Sequence, residues 1–201
     1  MESPAVHRLR TVVNDFAFAF KAVDAAGPQG KSKSRTYRPG IGPLAEAEAI
    51  SKAIEFLKQT TQPSPYELAA PQKYPTKKSI CDLVIPGEWA IEFKLIRPFG
   101  DNGDHAEHWS ENILHPYPGN TSSLGDCLKL IDSGFTEQKA IIVFGFEHSP
   151  PLVDLNTAVD AFERIAKQVL KINLGERHTA EFGPLIHPVH QQGKIFGWEI
   201  H

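Results

Sequence analysis

The sequence predicts a mixed α/β fold, one sheet with helices packed on it. Three observations carry this. Val6, Leu9, Val13, Phe16, Phe20 and Val23 recur at helical spacing near the N-terminus. Residues 79–97 read as two apolar strands joined at Pro86-Gly87, a pair suited to a tight turn. Strand and helix patterns then alternate to the C-terminus through "KAIIVFGFE", "DLNTAVDAFERIAKQVLKIN" and "KIFGWEI".

In chain order, Ser3-Pro4 offers an N-cap followed by proline at the first helical position, so the first helix is expected to start there. "FAFAF" alone alternates like a strand, but the longer window favours a helix with Phe16, Phe18 and Phe20 in the core. Residues 25–43, "AAGPQGKSKSRTYRPGIGP", form a basic loop carrying Lys31, Lys33, Arg35 and Arg38. Its "GPQGKS" ends like a nucleotide-phosphate loop. Ala25 stands where the first glycine belongs, and a helix rather than a strand precedes it, so that reading fails. Residues 44–58 form a second helix with Ile50, Ala53, Ile54 and Leu57 buried, ended by "TTQPSP". "YELAAPQKYP" is an edge strand, because Pro71 cannot donate to a central ladder. After the hairpin comes a long polar segment, 98–120, without periodicity. A helix starts near Ser122 or Ser123 and stops with Gly134 as its C-cap. In the helix after Asp154, Val159, Phe162, Ile165, Ala166 and Val169 face inward.

At 201 residues the chain is expected to be a single domain, 1–201, able to bury a core without disulfides or structural metal. The formal net charge of -3 excludes a molecule that attracts nucleic acid as a whole; such a partner must meet a local basic patch. Two cysteines, Cys81 and Cys127, are no disulfide framework. No apolar run reaches membrane-spanning length, and Asn14 and Asp15 interrupt the one signal-like stretch. The expected setting is cytoplasmic and reducing.

The chemistry concentrates in "CDLVIPGEWAIEFKLIR". Side chains alternate faces along a strand, so Trp89, Ile91, Phe93 and Leu95 share one face and Ala90, Glu92, Lys94 and Ile96 the other. A hairpin around Pro86-Gly87 brings Asp82 beside Glu92. Two carboxylates so placed repel, and a divalent cation offsets that directly. The competing reading is a wet strand face on which Glu and Lys pair weakly. In the helix 44–58, Glu46 falls on the apolar face one turn before Ile50, either as a ligand or as a boundary acid favoured by the helix dipole. Glu48, with Lys52 and Glu55, falls on the solvated face.

Asp82 followed by Glu92-Phe93-Lys94, with a helical Glu46 upstream and a helix–strand pair downstream, resembles the PD-(D/E)XK nuclease superfamily. The resemblance spans residues 44 to 147 in element order, with Cys81 where the motif's proline would stand. It implies a restriction-endonuclease-like αβββαβ core, here with an extra N-terminal helix and a C-terminal helix-strand. It also implies metal-dependent hydrolysis of DNA phosphodiesters in restriction, phage defence or repair. Asp82, Glu92, Glu46 and the Phe93 carbonyl would hold Mg²⁺ or Mn²⁺, and Lys94 would orient water. Cutting both strands would suggest a homodimer. The alternative is an inactive nucleic-acid-binding or protein-interaction module of the same fold.

Further candidates surround this set. Arg97 extends the strand and either contacts phosphate or is a surface arginine. Lys129 either reaches the site or is a solvated helix lysine, and Asp126 reads as a helix-start acid. Segment 98–120 is read as a substrate-contacting insertion, with Trp109 and Tyr117 as stacking candidates. His105 and His108 are spaced like a metal pair but lack a second pair, and His115 with Asn120 has no firm spacing.

Overall fold

The structure is a computed structural model that describes residues 8–31, 36–60, 63–116 and 122–201. Its elements run α1 (Leu9–Ala25), α2 (Glu46–Thr60), β1 (Ala70–Lys73), β2 (Ile80–Ile85), β3 (Trp89–Ile96), α3 (Glu111–Leu114), α4 (Ser123–Ile131), β4 (Gln138–Glu147), α5 (Leu155–Arg164), β5 (His178–Phe182) and β6 (Gln192–Ile200). The strands form one mixed sheet in the order β1-β2-β3-β4-β6-β5. Only β3 and β4 pair in parallel, joined by a crossover through α3 and α4; the other neighbours are antiparallel.

Helices cover both faces. The α1/α2 face buries Trp89, Ile91, Phe93 and Leu95 against Phe16 and Phe20; the Phe16 and Phe93 rings lie 4.8 Å apart. The α4/α5 face buries Ala90, Ile96, Ile141 and Val143 with Leu124, Leu130 and Phe162. The predicted alternation along β3 is thus realised, but both faces are covered, as a parallel pair demands. Glu92 and Lys94 are buried, which removes the wet-face reading.

The turn chemistry follows the sequence. Pro86-Gly87 makes a type II turn, with Gly87 at φ 77 and Glu88 N–H donating to the Ile85 carbonyl at 2.9 Å. Ser122 caps α4 by accepting the Gly125 N–H at 3.2 Å. The C-cap of α4 is Asp132 rather than the expected Gly134, which lies two residues further on at a left-handed φ of 73.

Four further expectations are corrected. Arg8 is extended, so α1 starts at Leu9; Ser3-Pro4 and Val6 lie outside the described residues. Phe18 faces out, its ring beside Phe56, since residues two apart cannot all share one helix face. Val169 is 66% exposed, because α5 ends in a π-helical turn, Ile165–Val169, that rotates the last residues off the apolar stripe. Edge strand β5 has no counterpart in the sequence pattern: "HTAEF" offers only one large apolar residue, Phe182, and pairs with β6 through its backbone. No helix among the described residues is long and apolar enough to cross a membrane.

Candidate active site

The β2–β3 ladder runs through Leu83↔Ile91, Val84↔Ala90 and Ile85↔Trp89, and just past its end the Asp82 and Glu92 side chains interact. Beyond that point the edge of β3 that faced β2 bonds side chains, while its other edge stays paired with β4. Phe93 N–H donates to Asp82 Oδ2 at 2.8 Å, and Leu95 N–H donates to Glu46 Oε2 from the first turn of α2. The opening between β3 and α2 continues into a cleft of about 940 Å³, lined by Glu46, Asp82, Glu92, Lys94, Asp126 and Lys129 at its charged floor.

These six groups form one network. Lys94 Nζ lies 3.5 Å from Glu46 Oε1 and 3.1 Å from Asp126 Oδ2. Lys129 Nζ lies 2.6 Å from Asp126 Oδ1 and 3.6 Å from Glu92 Oε1. Tyr74, from the chain after β1, donates its hydroxyl to Glu92 Oε1. Burial, and then the neighbouring Asp82 charge, push the Glu92 carboxyl up to about 9. Burial works to lower Lys94, but Glu46 and Asp126 outweigh it and hold the ammonium above its ordinary value. Burial raises Glu46 despite Lys94 and the Leu95 N–H.

The predicted set Glu46, Asp82, Glu92, Phe93 and Lys94 is therefore gathered in one place. Glu48 is exposed and meets Lys52 at 3.9 Å, on the far side of α2. Lys129 is drawn into the site rather than solvated. Two members escape the sequence reading. Asp126, expected as a helix-start acid, lies on the same α4 face as the buried Ser123, Cys127 and Leu130; that wheel position is readable from the sequence. Tyr74 carries no sequence signal, since it follows an exposed strand.

The outer candidates divide. Lys31 and Arg38 are exposed on the loop, tied by a Lys31↔Thr36 bridge and by Arg38 N–H on Asp101 Oδ1 at 3.0 Å. Lys33 and Arg35 lie outside the described residues. Arg97 is held inward: its Nη1 donates to the Gly42 and Leu44 carbonyls at 2.7 and 3.1 Å, while the residue lines the cleft. The insertion supplies a wall through Asp101, Asn102, Glu107, Trp109 and Asn112. The His105 ring lies tilted against Phe99, centroids 4.6 Å apart, and His108 meets Glu111 at 2.7 Å, so the two serve separate contacts. Tyr117 and Asn120 lie outside the described residues.

No protein-family model, curated protein or solved structure matches the chain. Among the described residues, no group of three or more His, Cys, Asp or Glu side chains is gathered as a metal cage. The donor chemistry nonetheless fits a divalent cation. With all four carboxyls ionised, Glu46, Asp82, Glu92 and Asp126 outnumber the ammonium groups of Lys94 and Lys129 by two; without a cation, burial and the Asp82 charge push Glu92 toward its protonated form, and a divalent cation would favour the carboxylate. The oxygens are hard ligands of the kind Mg²⁺ and Mn²⁺ take.

Proposed function

We propose that the chain is a metal-dependent nuclease that hydrolyses DNA phosphodiesters, built on a restriction-endonuclease-like core. The observation that carries this reading is the convergence of Asp82, Glu92 and Lys94, from two splayed strands, with Glu46 from α2 in one cleft. The order α2, β1, β2, β3, α4, β4 agrees with the αβββαβ arrangement that the resemblance implies.

Asp82, Glu92 and Glu46 would hold Mg²⁺ or Mn²⁺ together with the Phe93 carbonyl. A strand residue's N–H and C=O point to the same side, so that carbonyl faces the opening already reached by the Phe93 N–H. When bound, the metal supplies hydroxide near neutral pH and neutralises charge on the phosphate. Hydrolysis joins a water oxygen to phosphorus and breaks one ester bond, whose oxygen leaves with a proton from solvent. Lys94, held between Glu46 and Asp126, hydrogen-bonds the attacking water and offsets the growing negative charge. The basic loop with Lys31, Lys33, Arg35 and Arg38 tracks the DNA backbone, and Arg97 braces the cleft wall behind it. A homodimer would bring a second site to the opposite strand.

One observation favours a second reading, an inactive binding module: the carboxylates already share protein donors. Supercoiled plasmid, linear duplex, single-stranded DNA and RNA, each with Mg²⁺, Mn²⁺ or EDTA, separate the two. Metal-dependent cutting of DNA supports the nuclease; binding without cutting on every substrate supports the module.

A further inference from the structure

The nuclease reading gives work to Lys94 and three carboxylates and leaves Asp126 without a task. Asp126 is 2% exposed on the first turn of α4. It does not cap the helix, since Ser122 does, and its own N–H already reaches the Ser122 carbonyl at 2.8 Å. Each of its oxygens meets a different lysine: Oδ1 is 2.6 Å from Lys129 and Oδ2 is 3.1 Å from Lys94. Lys94 leans onward to Glu46 and Lys129 to Glu92, so a chain of ion pairs crosses the cleft floor with Asp126 at its centre. Stability alone does not call for this. A buried ion pair is often no better than apolar residues of its size, and the apolar Leu124, Cys127 and Leu130 of α4 are buried around it.

A lysine ammonium is a point charge on a flexible stem, without the fixed fork of arginine, so its position must be imposed. We propose that Asp126 is a positioning residue that parts two ammonium groups, and that Lys129 is a second catalytic lysine of the site. A phosphate at the cleft floor then meets Lys94 from the Glu46 side and Lys129 from the Glu92 side. Lys129 donates to a non-bridging oxygen as charge builds there. Its side chain is 30% exposed toward the cleft, against 11% for Lys94, and is the one that substrate meets first. The catalytic role of Lys129 rests on the nuclease reading; the positioning by Asp126 does not.

The test uses the full chain in two arms. Without metal or DNA, ¹⁵N detection of slowly exchanging lysine ammonium groups should show one signal absent in Lys94→Met, another absent in Lys129→Met, and both absent in Asp126→Asn. With Mg²⁺ and duplex DNA, Lys129→Met should lower the single-turnover cleavage rate by ~10²-fold, the scale of removing one transition-state donor. That loss should exceed any loss of duplex affinity in EDTA, Lys129→Arg should recover part of the rate, and Asp126→Glu should exceed Asp126→Asn. Should Asp126→Asn fail to fold, Asp126→Glu and the lysine variants carry the same comparison. Ammonium signals that survive the removal of Asp126, or a rate loss matched by an equal affinity loss, overturn the proposal and leave the nuclease reading standing. A wild type that cuts nothing while the signals behave as described overturns the nuclease reading and the role of Lys129 with it.

Discussion

Glu46 and Glu48 sit two residues apart on α2 and have different surroundings. Glu46 accepts the Leu95 N–H and faces Lys94, whereas the exposed Glu48 meets the half-buried Lys52. Mg²⁺ should raise the melting temperature of the wild type, because a ligand of the native state alone stabilises it. Glu46→Gln should shrink that shift and slow cleavage roughly 10–100-fold, while Glu48→Gln should change neither. Thermal melts with and without Mg²⁺ check this, and the reverse ranking would contradict the placement. His190 sets a pH limit at the same scale. Its Nε2–H donates to the Phe99 carbonyl at 2.9 Å, and its buried Nδ1 has no hydrogen-bond partner to share a second proton. Burial, helped by His187 and Arg97 and opposed by the Phe99 carbonyl and Asp101, lowers it to about 4. Above its ordinary value of 6.5, neither the folded nor the unfolded chain holds that proton. As pH falls from there to about 4, only the unfolded chain takes it up, so stability drops, by about 2 kcal/mol at pH 5. Urea melts at pH 7 and pH 5 measure this, and His190→Asn should flatten the difference; an equal difference in both proteins would assign it elsewhere.

At the scale of elements, the cleft walls depend on clips between loops. Asp24, buried in α1, accepts from Ile41 N–H at 2.9 Å and Ile186 N–H at 2.7 Å. Asp101 of the insertion accepts from Arg38 N–H and His187 Nε2–H; His187 Nδ1 takes the Val189 and His190 N–H groups, which fixes the ring proton on Nε2. Gly42 packs flat on His190: a Cβ there would lie 2.5 Å from the ring. Gly42→Ala should therefore destabilise by about 1–3 kcal/mol and slow cleavage, although Gly42 is remote from the carboxylates of the hairpin in sequence. Denaturant unfolding checks it, and full stability would show that the loops yield freely. These clips also mark where sequence reading stops. The hairpin, α2, α4 and β4 are legible because period, proline, glycine and caps are local signals. The partners of Asp24, Asp101 and His187 lie far away in the chain, and nothing local announces them. Asp126 is half legible, as an acid on an apolar wheel face, but its pairing with Lys94 comes into view only when α4 packs on β3.

For the whole molecule, net charge is -3 and the cleft floor is acidic, so on the nuclease proposal attraction to DNA would have to come from the basic loop and a bound cation. Neutralising Lys31, Lys33, Arg35 and Arg38 together should weaken binding and flatten the slope of log K against log salt by roughly 0.9 for each phosphate that is no longer neutralised. Fluorescence anisotropy across a salt series reads both, and an unchanged slope would place the phosphate-binding groups on another surface. The α/β sandwich supplies the rigid part of this design. β3 is covered on both faces, so Glu92 and Lys94 are held from beneath while the splayed end of the hairpin keeps them open to the cleft. The most direct test is single-turnover cleavage of supercoiled plasmid by wild type and Lys94→Ala, in Mg²⁺ and in EDTA. The expected result is cutting by the wild type in Mg²⁺ alone, with a loss in the folded variant that exceeds any loss of DNA affinity. Equal cutting by both proteins would contradict a reaction centred on Lys94.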